Sequence, residues 1–247
     1  MAFGTPTMPA RLTIVTVVHN AVERLTSSFE SVSALHRDDV QYIIVDGGSK
    51  DRTLEFLQTH NEQLEYWLSE PDHGIYNAMN KAVQLAAAGT YILFLGAGDR
   101  ILHLPEADTI DHAKSSGIHL LYGDVLIGEC LFSSSFNGKL RYRNTLHHQG
   151  MFLLKVSSRA PWFDERLKVF ADWDLNLSLF QRGVAAKRLD YVIAFAEPGG
   201  VSASLHLSEI MRMIHRRCGP LMAVAAAFYH GSLYLLRWYA RFSRSPH

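Results

Sequence analysis

The sequence predicts an α/β fold, with a mostly parallel central sheet covered by helices on both faces. Apolar, β-branched runs such as LTIVTVV at residues 12–18 are typical of strands that are buried on both sides. Segments with apolar residues at helical spacing alternate with these runs. The chain has 247 residues, of which 48% are hydrophobic and 19% charged. This composition is sufficient for one such core.

The first three elements follow directly from the apolar pattern. The strand at 12–18 is followed by a predicted helix over 21–35, where apolar residues recur every three or four positions. A second strand, YIIVD, ends at Asp46. Ser49 or Asp51 is expected to cap the helix that comes next, because short polar side chains accept hydrogen bonds from free helix N–H groups.

The alternation continues along the chain. LEYWL at 64–68 predicts a short strand, residues 74–88 a helix, and YILFL at 91–95 a further buried strand. Later, MFLL at 151–154 has the character of a strand and LNLSLF at 175–180 that of a helix. Strands that alternate with helices in this way predict a parallel sheet with helices on both sides.

Composition divides the chain into a flexible N-terminus at 1–10, an α/β domain at 11–205 and a helical tail at 206–247. After Glu209 the tail has six arginines and no acid, whereas the preceding part has 24 acidic residues against 18 basic ones. The apolar run at 219–240 is interrupted by glycine and polar residues. It therefore suits a helix lying on an anionic membrane surface better than one that spans it. A helix packed on the domain or in a dimer is an equally open alternative.

Overall charge and cysteine content exclude several classes. The net charge is zero, so nothing favours a nucleic-acid partner. Cys130 and Cys218 form neither a C-x-x-C pair nor a disulfide framework, which favours a reducing compartment. The first residues, MAFGTPTMPA, lack the charged and apolar regions of a secretory signal, so a cytoplasmic location is expected.

Small, polar loops follow four of the predicted strands. In sheets of this kind, ligands bind beyond the carboxyl ends of the strands. Any single loop is explained as well by a turn or a helix cap. Four of them at one sheet edge predict a binding site. The loops are HN at 19–20, DGGS at 46–49, EPDH at 70–73 and GAGD at 96–99.

The loop sequences restrict how a phosphate group could be held. The first strand–helix junction, HNAVERL at 19–25, lacks the glycines of a dinucleotide-binding or nucleotidyltransferase loop. A pyrophosphate beside several carboxylates is then expected to bind through a divalent cation, Mg²⁺ or Mn²⁺. Asp99 is the predicted ligand, because the preceding Gly98 lets a bulky group approach the backbone.

Six segments occur in a characteristic order: TIVTVVHNA, IIVDGGSKDRT, SEPDHGIYNAMNKA, YILFLGAGD, HHQGMFL and FDERLKVFADWDL. In this order they resemble the family 2 glycosyltransferases of the GT-A fold, over residues 11–205. The sequence is particularly similar to small bacterial members that build cell-surface polysaccharides. The resemblance implies a nucleotide-binding α/β/α sandwich. It also implies inverting transfer of a sugar from a nucleoside-diphosphate sugar to a saccharide or lipid-linked acceptor.

The resemblance also implies roles for individual residues. In ADWDL, Asp172 takes the position of the base that removes the acceptor proton, and Asp174 that of a supporting residue. General base catalysis contributes about 10²–10⁴ in rate. Asp172 could equally cap the helix that begins here. For the donor site the resemblance implies a set of binding residues, comprising His19, Asn20, Asp46, Asp72, Asn80, Lys81 and Gly98.

Residues around the HHQ segment complete the implied site. By resemblance, His148 and Gln149 lie beside the acceptor and the diphosphate, and His148 completes the shell of the cation. A zinc site at His147 and His148 is not favoured, because no further ligands are suitably spaced. Trp173 either stacks on a sugar or packs in the core.

Two departures from the family pattern leave an alternative open. Ala97 and Ala171 stand where relatives have acids. They make a non-catalytic nucleotide-sugar-binding or assembly protein the second hypothesis. A serine nucleophile is not supported, since no G-x-S-x-G segment occurs. A glycosidase is a distant choice for a parallel sheet with a nucleotide-type edge.

Overall fold

The computed structural model describes residues 10–156, 161–199 and 206–242, and the side chains up to residue 236. The predicted N-terminal segment and the predicted boundary at residue 205 therefore lie almost wholly outside the described residues. The strands are β1 Leu12–Val18, β2 Val40–Asp46, β3 Tyr66–Ser69, β4 Tyr91–Gly96, β5 Arg100–Ile101, β6 Leu120–Ile127, β7 Cys130–Phe132, β8 Met151–Leu154 and β9 Ala186–Ala196. The helices are α1 Val22–Ser33, α2 Thr53–Thr59, α3 Ile75–Leu85, α4 Ala107–Ser115, α5 Ala171–Gln181, α6 Leu207–Cys218 and α7 Pro220–Phe242.

The strands form one mixed sheet in the order β3-β2-β1-β4-β8-β6-β9-β5, with β7 paired to β6. β1 pairs in parallel with β2 and β4, and β2 with β3. β8 is antiparallel to both β4 and β6, so β6 and its parallel partner β9 run in the same direction as β1. Six strands therefore run in the same direction, namely β1, β2, β3, β4, β6 and β9. The strands β5, β7 and β8 run in the opposite direction. The sheet is mostly parallel, as the sequence predicts.

Helices cover both faces of the sheet. Buried residues of α1, α2 and α4 form one core with the side chains on one face of β1, β2 and β4. Buried residues of α3, α5, α6 and α7 form a second core on the opposite face. Successive side chains of a strand point to opposite faces, so β1, β2 and β4 contribute to both cores. This two-core arrangement is the predicted α/β/α sandwich.

The predicted elements correspond closely to the observed ones. β1 has the predicted bounds, and α1, α3 and β3 differ from them by one to three residues at their ends. Asp51 accepts hydrogen bonds from the Thr53 backbone N–H (3.0 Å) and hydroxyl (2.6 Å), so it serves the start of α2. Ser49 instead donates its hydroxyl to Asp46. Neither candidate is the N-cap residue, which is Arg52, but Asp51 satisfies the N–H of the first helical residue, Thr53.

The tail forms two helices that join the second core. Ile210, Met213 and Ile214 of α6 are buried, as are Ala223 and Ala226 of α7. Among the helices that the structure describes, none has the length and apolar character needed to cross a bilayer.

Candidate functional site

Two adjacent residues connect the two acids that the sequence singles out. His148 and Gln149 lie in a short 3₁₀ turn, His148–Gly150, just before β8. The Gln149 side-chain amide donates to Asp99. The Nδ1 atom of His148 lies 3.6 Å from the nearer carboxylate oxygen of Asp172. Asp99, which follows β4, is therefore connected through His148 and Gln149 to Asp172 at the start of α5, and His148 and Asp172 line one small pocket.

The Asp99 carboxylate is buried at the end of β4. It accepts a hydrogen bond from the backbone N–H of Glu197, at 2.7 Å, from the segment after β9. Burial raises the pKa of Asp99, while this hydrogen bond and the positive charges of His148 and Arg24 act in the opposite direction. A cation or a further positive group beside Asp99 would thus stabilise its ionised form.

Asp172 occupies the first turn of α5, where the helix dipole favours a carboxylate. One oxygen accepts the backbone N–H of Trp173 at 2.7 Å and lies 3.4 Å from the Tyr76 hydroxyl. The other accepts from the Asn144 amide at 3.3 Å. Asp172 does not cap α5, because the N-cap residue is Phe170 and the helix has no side-chain cap hydrogen bond, while its role as a base stays a prediction.

The side-chain oxygen of Gln149, next to Asp99, has no hydrogen-bond partner among the described residues. The residue is 3% exposed, and its Oε1 is one of the few buried polar atoms in the described residues that lack a hydrogen-bond partner. An orphaned carbonyl oxygen beside a carboxylate is a donor set that suits Mg²⁺ or Mn²⁺, which need few protein ligands when phosphates supply others. Within the described part of the chain, no group of three or more His, Cys, Asp or Glu forms a metal cluster.

The first two loops of the sheet edge are joined by Asn20. Its side-chain oxygen accepts the Lys50 N–H, and its own N–H donates to Ser49, both at 2.7 Å. Its side-chain nitrogen lies 2.9 Å from His19 Nε2. Asn20 has a positive φ of 49°, a conformation that asparagine tolerates better than most residues. It holds the loops that carry His19 and Asp46 in register.

Asp72 lies over the glycine that follows β2. A Cβ atom on Gly47 would come within 2.3 Å of the Asp72 carboxylate and 3.2 Å of the His19 ring. Only glycine allows this approach. Lys81 reaches the same loop, with its ammonium group 2.7 Å from Glu70 and 3.0 Å from the Pro71 carbonyl. His19 and Asp72 are therefore brought together at this end of the edge, and Lys81 fixes the loop that carries Asp72.

Asp46 and Asn80 differ from their predicted placement. Asp46 is 0% exposed, and its carboxylate accepts from the N–H and hydroxyl of Ser49 and from the Ser69 hydroxyl. The Asn80 amide is likewise enclosed, because it accepts the N–H groups of residues 162 and 163 and donates to the Phe163 carbonyl. Both side chains are saturated by protein groups. They brace loops and do not face an open pocket.

Trp173 and Asp174 are also directed into the protein. Trp173 is 1% exposed, and its indole N–H donates to the Leu140 carbonyl at 2.7 Å, so it packs in the core. Asp174 pairs with Arg216 and Arg217 of α6. Its carboxylate therefore ties α5 to the tail helix.

The structure adds residues that sequence reasoning missed. Tyr76 and Asn144 contact Asp172, and Arg24 of α1 lies against Gly98. Tyr76 lies within SEPDHGIYNAMNKA, one of the six segments that carry the family resemblance, and this location could have indicated a role at the site. The position of Arg24 follows from helical spacing, because Ser28, one turn later, bonds to the Gly98 N–H at 2.8 Å.

Comparisons with known proteins agree with this architecture. The chain is similar to solved structures of Staphylococcus aureus TarS; for TarS 1–349 with UDP-GlcNAc, the TM-score is 0.65 at 17% identity over 84% of this chain. The chain covers 66% of that structure, slightly under two thirds. It is also similar to the mannosyltransferase PcManGT from Pyrobaculum calidifontis in complex with GDP-Man and Mn²⁺, with a TM-score of 0.56 and 15% identity, covering 99% of this chain and 83% of that one. At such identities the likeness shows the GT-A fold.

Sequence comparison reaches further. A curated relative, the PGL/p-HBAD biosynthesis glycosyltransferase of Mycobacterium bovis and Mycobacterium tuberculosis, is 31% identical over 210 residues, which is 79% of this chain and 80% of that one. The profile of the family described as "Glycosyl transferase family 2" matches residues 13–103, from β1 through the loop that carries Asp99. From the fold, the shared sequence and the acids at the edge of the sheet, we conclude that the chain belongs to glycosyltransferase family 2.

Proposed function

We propose that the protein is an inverting glycosyltransferase that moves a sugar from a nucleoside-diphosphate sugar to a saccharide or lipid-linked acceptor. The observation that carries this proposal is the His148–Gln149 pair, whose members contact Asp172 and Asp99 respectively. A proton acceptor and a diphosphate site must face the same anomeric carbon in such a reaction. We infer that His148 and Gln149 connect these two groups.

The proposed reaction is a single displacement. An acceptor hydroxyl attacks the anomeric carbon, the bond from that carbon to the diphosphate oxygen breaks, and the hydroxyl proton passes to Asp172. Asn144 and the Trp173 N–H hold the carboxylate by hydrogen bonds to its two oxygens. The first turn of α5, where Asp172 lies, is a position at which the helix dipole favours negative charge.

Asp99 and Gln149 Oε1 are the atoms that would hold a divalent cation, with His148 beside them. Such a cation, when bound, stabilises the negative charge of the departing diphosphate. The chain supplies one carboxylate where relatives have two, so we expect weak cation binding. The Mn²⁺ in the structure of PcManGT with GDP-Man supports the same class of cofactor here.

The donor is expected to enter along the first three loops. His19 and Asp72 provide the polar groups for the nucleoside, while Gly98 leaves room for the diphosphate at the end of β4. The UDP-GlcNAc and GDP-Man in structures of TarS and PcManGT support a nucleoside-diphosphate sugar as donor.

A thermal-shift panel of nucleotide sugars, followed by measurement of nucleoside-diphosphate release, tests this function. We expect at least one UDP- or GDP-sugar to stabilise the protein and to be turned over with Mn²⁺ more rapidly than with EDTA. Stabilisation without turnover for any donor and acceptor would favour the alternative, a non-catalytic nucleotide-sugar-binding or assembly protein. Ala97 and Ala171, at positions where the family resemblance implies acids, are the reason for this alternative.

We propose further that α7 lies on an anionic membrane surface. Leu221, Val224, Phe228 and Leu235 recur at helical spacing and are 88%, 48%, 73% and 65% exposed. The chain from residue 210 onward has six arginines and no acid, so charge complementarity favours an anionic bilayer as the partner of this apolar face. Such a location at the inner face of the cell membrane would bring the site close to a lipid-linked acceptor.

A further inference from the structure

We propose that Arg24 binds the donor diphosphate beside Asp99. Its positive charge would add to that of a cation held by Asp99 and Gln149. This inference rests on the proposed function, since it names a binding residue of the same site. Arg24 is in the first turn of α1, on a different element from every donor-site residue considered above.

The position of Arg24 is fixed by the contact between α1 and the loop after β4. A Cβ atom on Gly98 would lie 2.8 Å from Arg24 Nε and 3.2 Å from one of its terminal nitrogens. Gly98 has a φ of +100°, and its N–H is held by the Ser28 hydroxyl, one helical turn after Arg24. The guanidinium group therefore rests on the backbone just before Asp99.

The guanidinium group is available to a ligand. Its side chain is exposed, and within the described residues it makes no hydrogen bond or ion pair with protein groups. Its charge lies close to the site, because the group rests against Gly98, the residue before Asp99. An unengaged arginine next to a buried carboxylate is suited to bidentate recognition of a phosphate.

Charge balance around the loop explains why a fixed cation would be useful. Asp99 and the neutral Gln149 together supply a single negative charge, so they form a weak cation site. A departing diphosphate still requires compensation of its negative charge. Arg24 provides it from a position that a Cβ atom at residue 98 would obstruct.

Nucleotide titrations test the inference. Isothermal titration measures binding of UDP, UMP, GDP and GMP, in EDTA and in Mn²⁺, to wild type, Arg24→Ala, Arg24→Lys and the control Arg182→Ala. Arg182 is an exposed arginine at the C-terminal end of α5. We expect Arg24→Ala to weaken diphosphate binding in EDTA by about tenfold or more. Monophosphate binding should change little, Arg24→Lys should recover part of the loss, and Arg182→Ala should resemble wild type.

The outcomes separate this inference from the function on which it rests. If wild type binds a nucleoside diphosphate but Arg24→Ala binds it equally well, or loses diphosphate and monophosphate affinity to the same extent, the inference is overturned and the function stands. If wild type binds none of the four nucleotides, with or without Mn²⁺, the proposed function is overturned and the inference with it.

Discussion

The 3₁₀ turn at His148–Gly150 shows how single side chains determine the geometry of the candidate site. Gln149 and His148 are neighbours in sequence, yet they face different acids, because the 3₁₀ turn directs successive side chains apart. Gly150 completes this turn, and a Cβ atom there would come within 2.7 Å of the Gly123 carbonyl. The turn can therefore approach β6 closely only with glycine at this position. The turn thereby connects Asp99 and Asp172 through two neighbouring side chains.

Asp164, in the segment that precedes α5, is a residue whose ionisation stabilises the fold. Arg166 donates to its carboxylate at 2.8 Å, and Arg216 of α6 pairs with it as well. These partners hold the pKa of Asp164 well below its usual value of 3.8. A lowered pKa in the folded state stabilises the protein above the unfolded-state pKa, and this contribution is lost as the pH falls below about 3.8.

We predict that Asp164→Asn lowers the free energy of unfolding at pH 7 and that the deficit narrows in acid. At pH 3 the wild type should have lost about 1 kcal/mol of this contribution, since the unfolded chain is then largely protonated at Asp164. Urea unfolding at both pH values measures the difference. Asp190→Asn, at a carboxylate that is 95% exposed, is the control. A deficit that stays constant between pH 7 and pH 3 would show that the ion pair does not act in this way.

At the scale of elements, the tail helix α6 organises the start of the helix that carries Asp172. The buried Glu209 carboxylate accepts the backbone N–H groups of residues 168, 169 and 170, at 3.1, 2.8 and 2.9 Å. These groups lie just before the first turn of α5, where free N–H groups need acceptors. Helix α6 therefore braces the start of α5.

Substitution of Glu209 should show this dependence. We predict that Glu209→Ala destabilises the protein by about 2–3 kcal/mol, because it leaves buried N–H groups without an acceptor. Glu209→Gln should cost less, since one side-chain oxygen remains to accept. Urea denaturation gives both values. Equal stability of Glu209→Ala and wild type would mean that water replaces the carboxylate and that α6 does not brace α5.

The elements were more predictable than the side-chain roles. β1, β4 and β8 are continuous apolar runs, and local pattern determines such strands. The loop acids were located correctly at one sheet edge, but the sequence does not show whether a carboxylate faces the cleft or a neighbouring loop. Asp46 is enclosed because Ser69, from the next strand, reaches it. The role of Glu209 depends on a contact some forty residues away in sequence, which local patterns do not reveal.

At the scale of the whole molecule, α7 has two faces with different environments. Ala223 and Ala226 are buried in the second core, and the Tyr229 hydroxyl accepts from Arg143 at 3.1 Å. The opposite face carries the exposed apolar residues. One face therefore packs on the domain, as one alternative from the sequence predicts, whereas a membrane contact of the other face stays a prediction. Deletion of residues 219–247 would also remove part of the core, so point substitutions test the membrane more cleanly.

We predict that Leu221→Glu combined with Phe228→Glu abolishes flotation with vesicles of anionic phospholipid, while the folded state is retained. Acidic residues on the exposed face oppose both insertion of apolar side chains and attraction to the negative surface. Sucrose-gradient flotation measures association, and Leu54→Glu, at an exposed apolar residue of α2, is the control. Wild type that stays at the bottom of the gradient would remove the membrane proposal.

The central claim is that Asp172 removes the acceptor proton in a cleft shared with the diphosphate site at Asp99. The most direct test is the rate of nucleoside-diphosphate release from the best donor and acceptor of the panel, for wild type, Asp172→Asn and the control Asp190→Asn. We predict that Asp172→Asn lowers kcat by about 10²-fold or more, with donor affinity retained. Asp190→Asn should match wild type. An undiminished kcat for Asp172→Asn in folded protein would contradict the account.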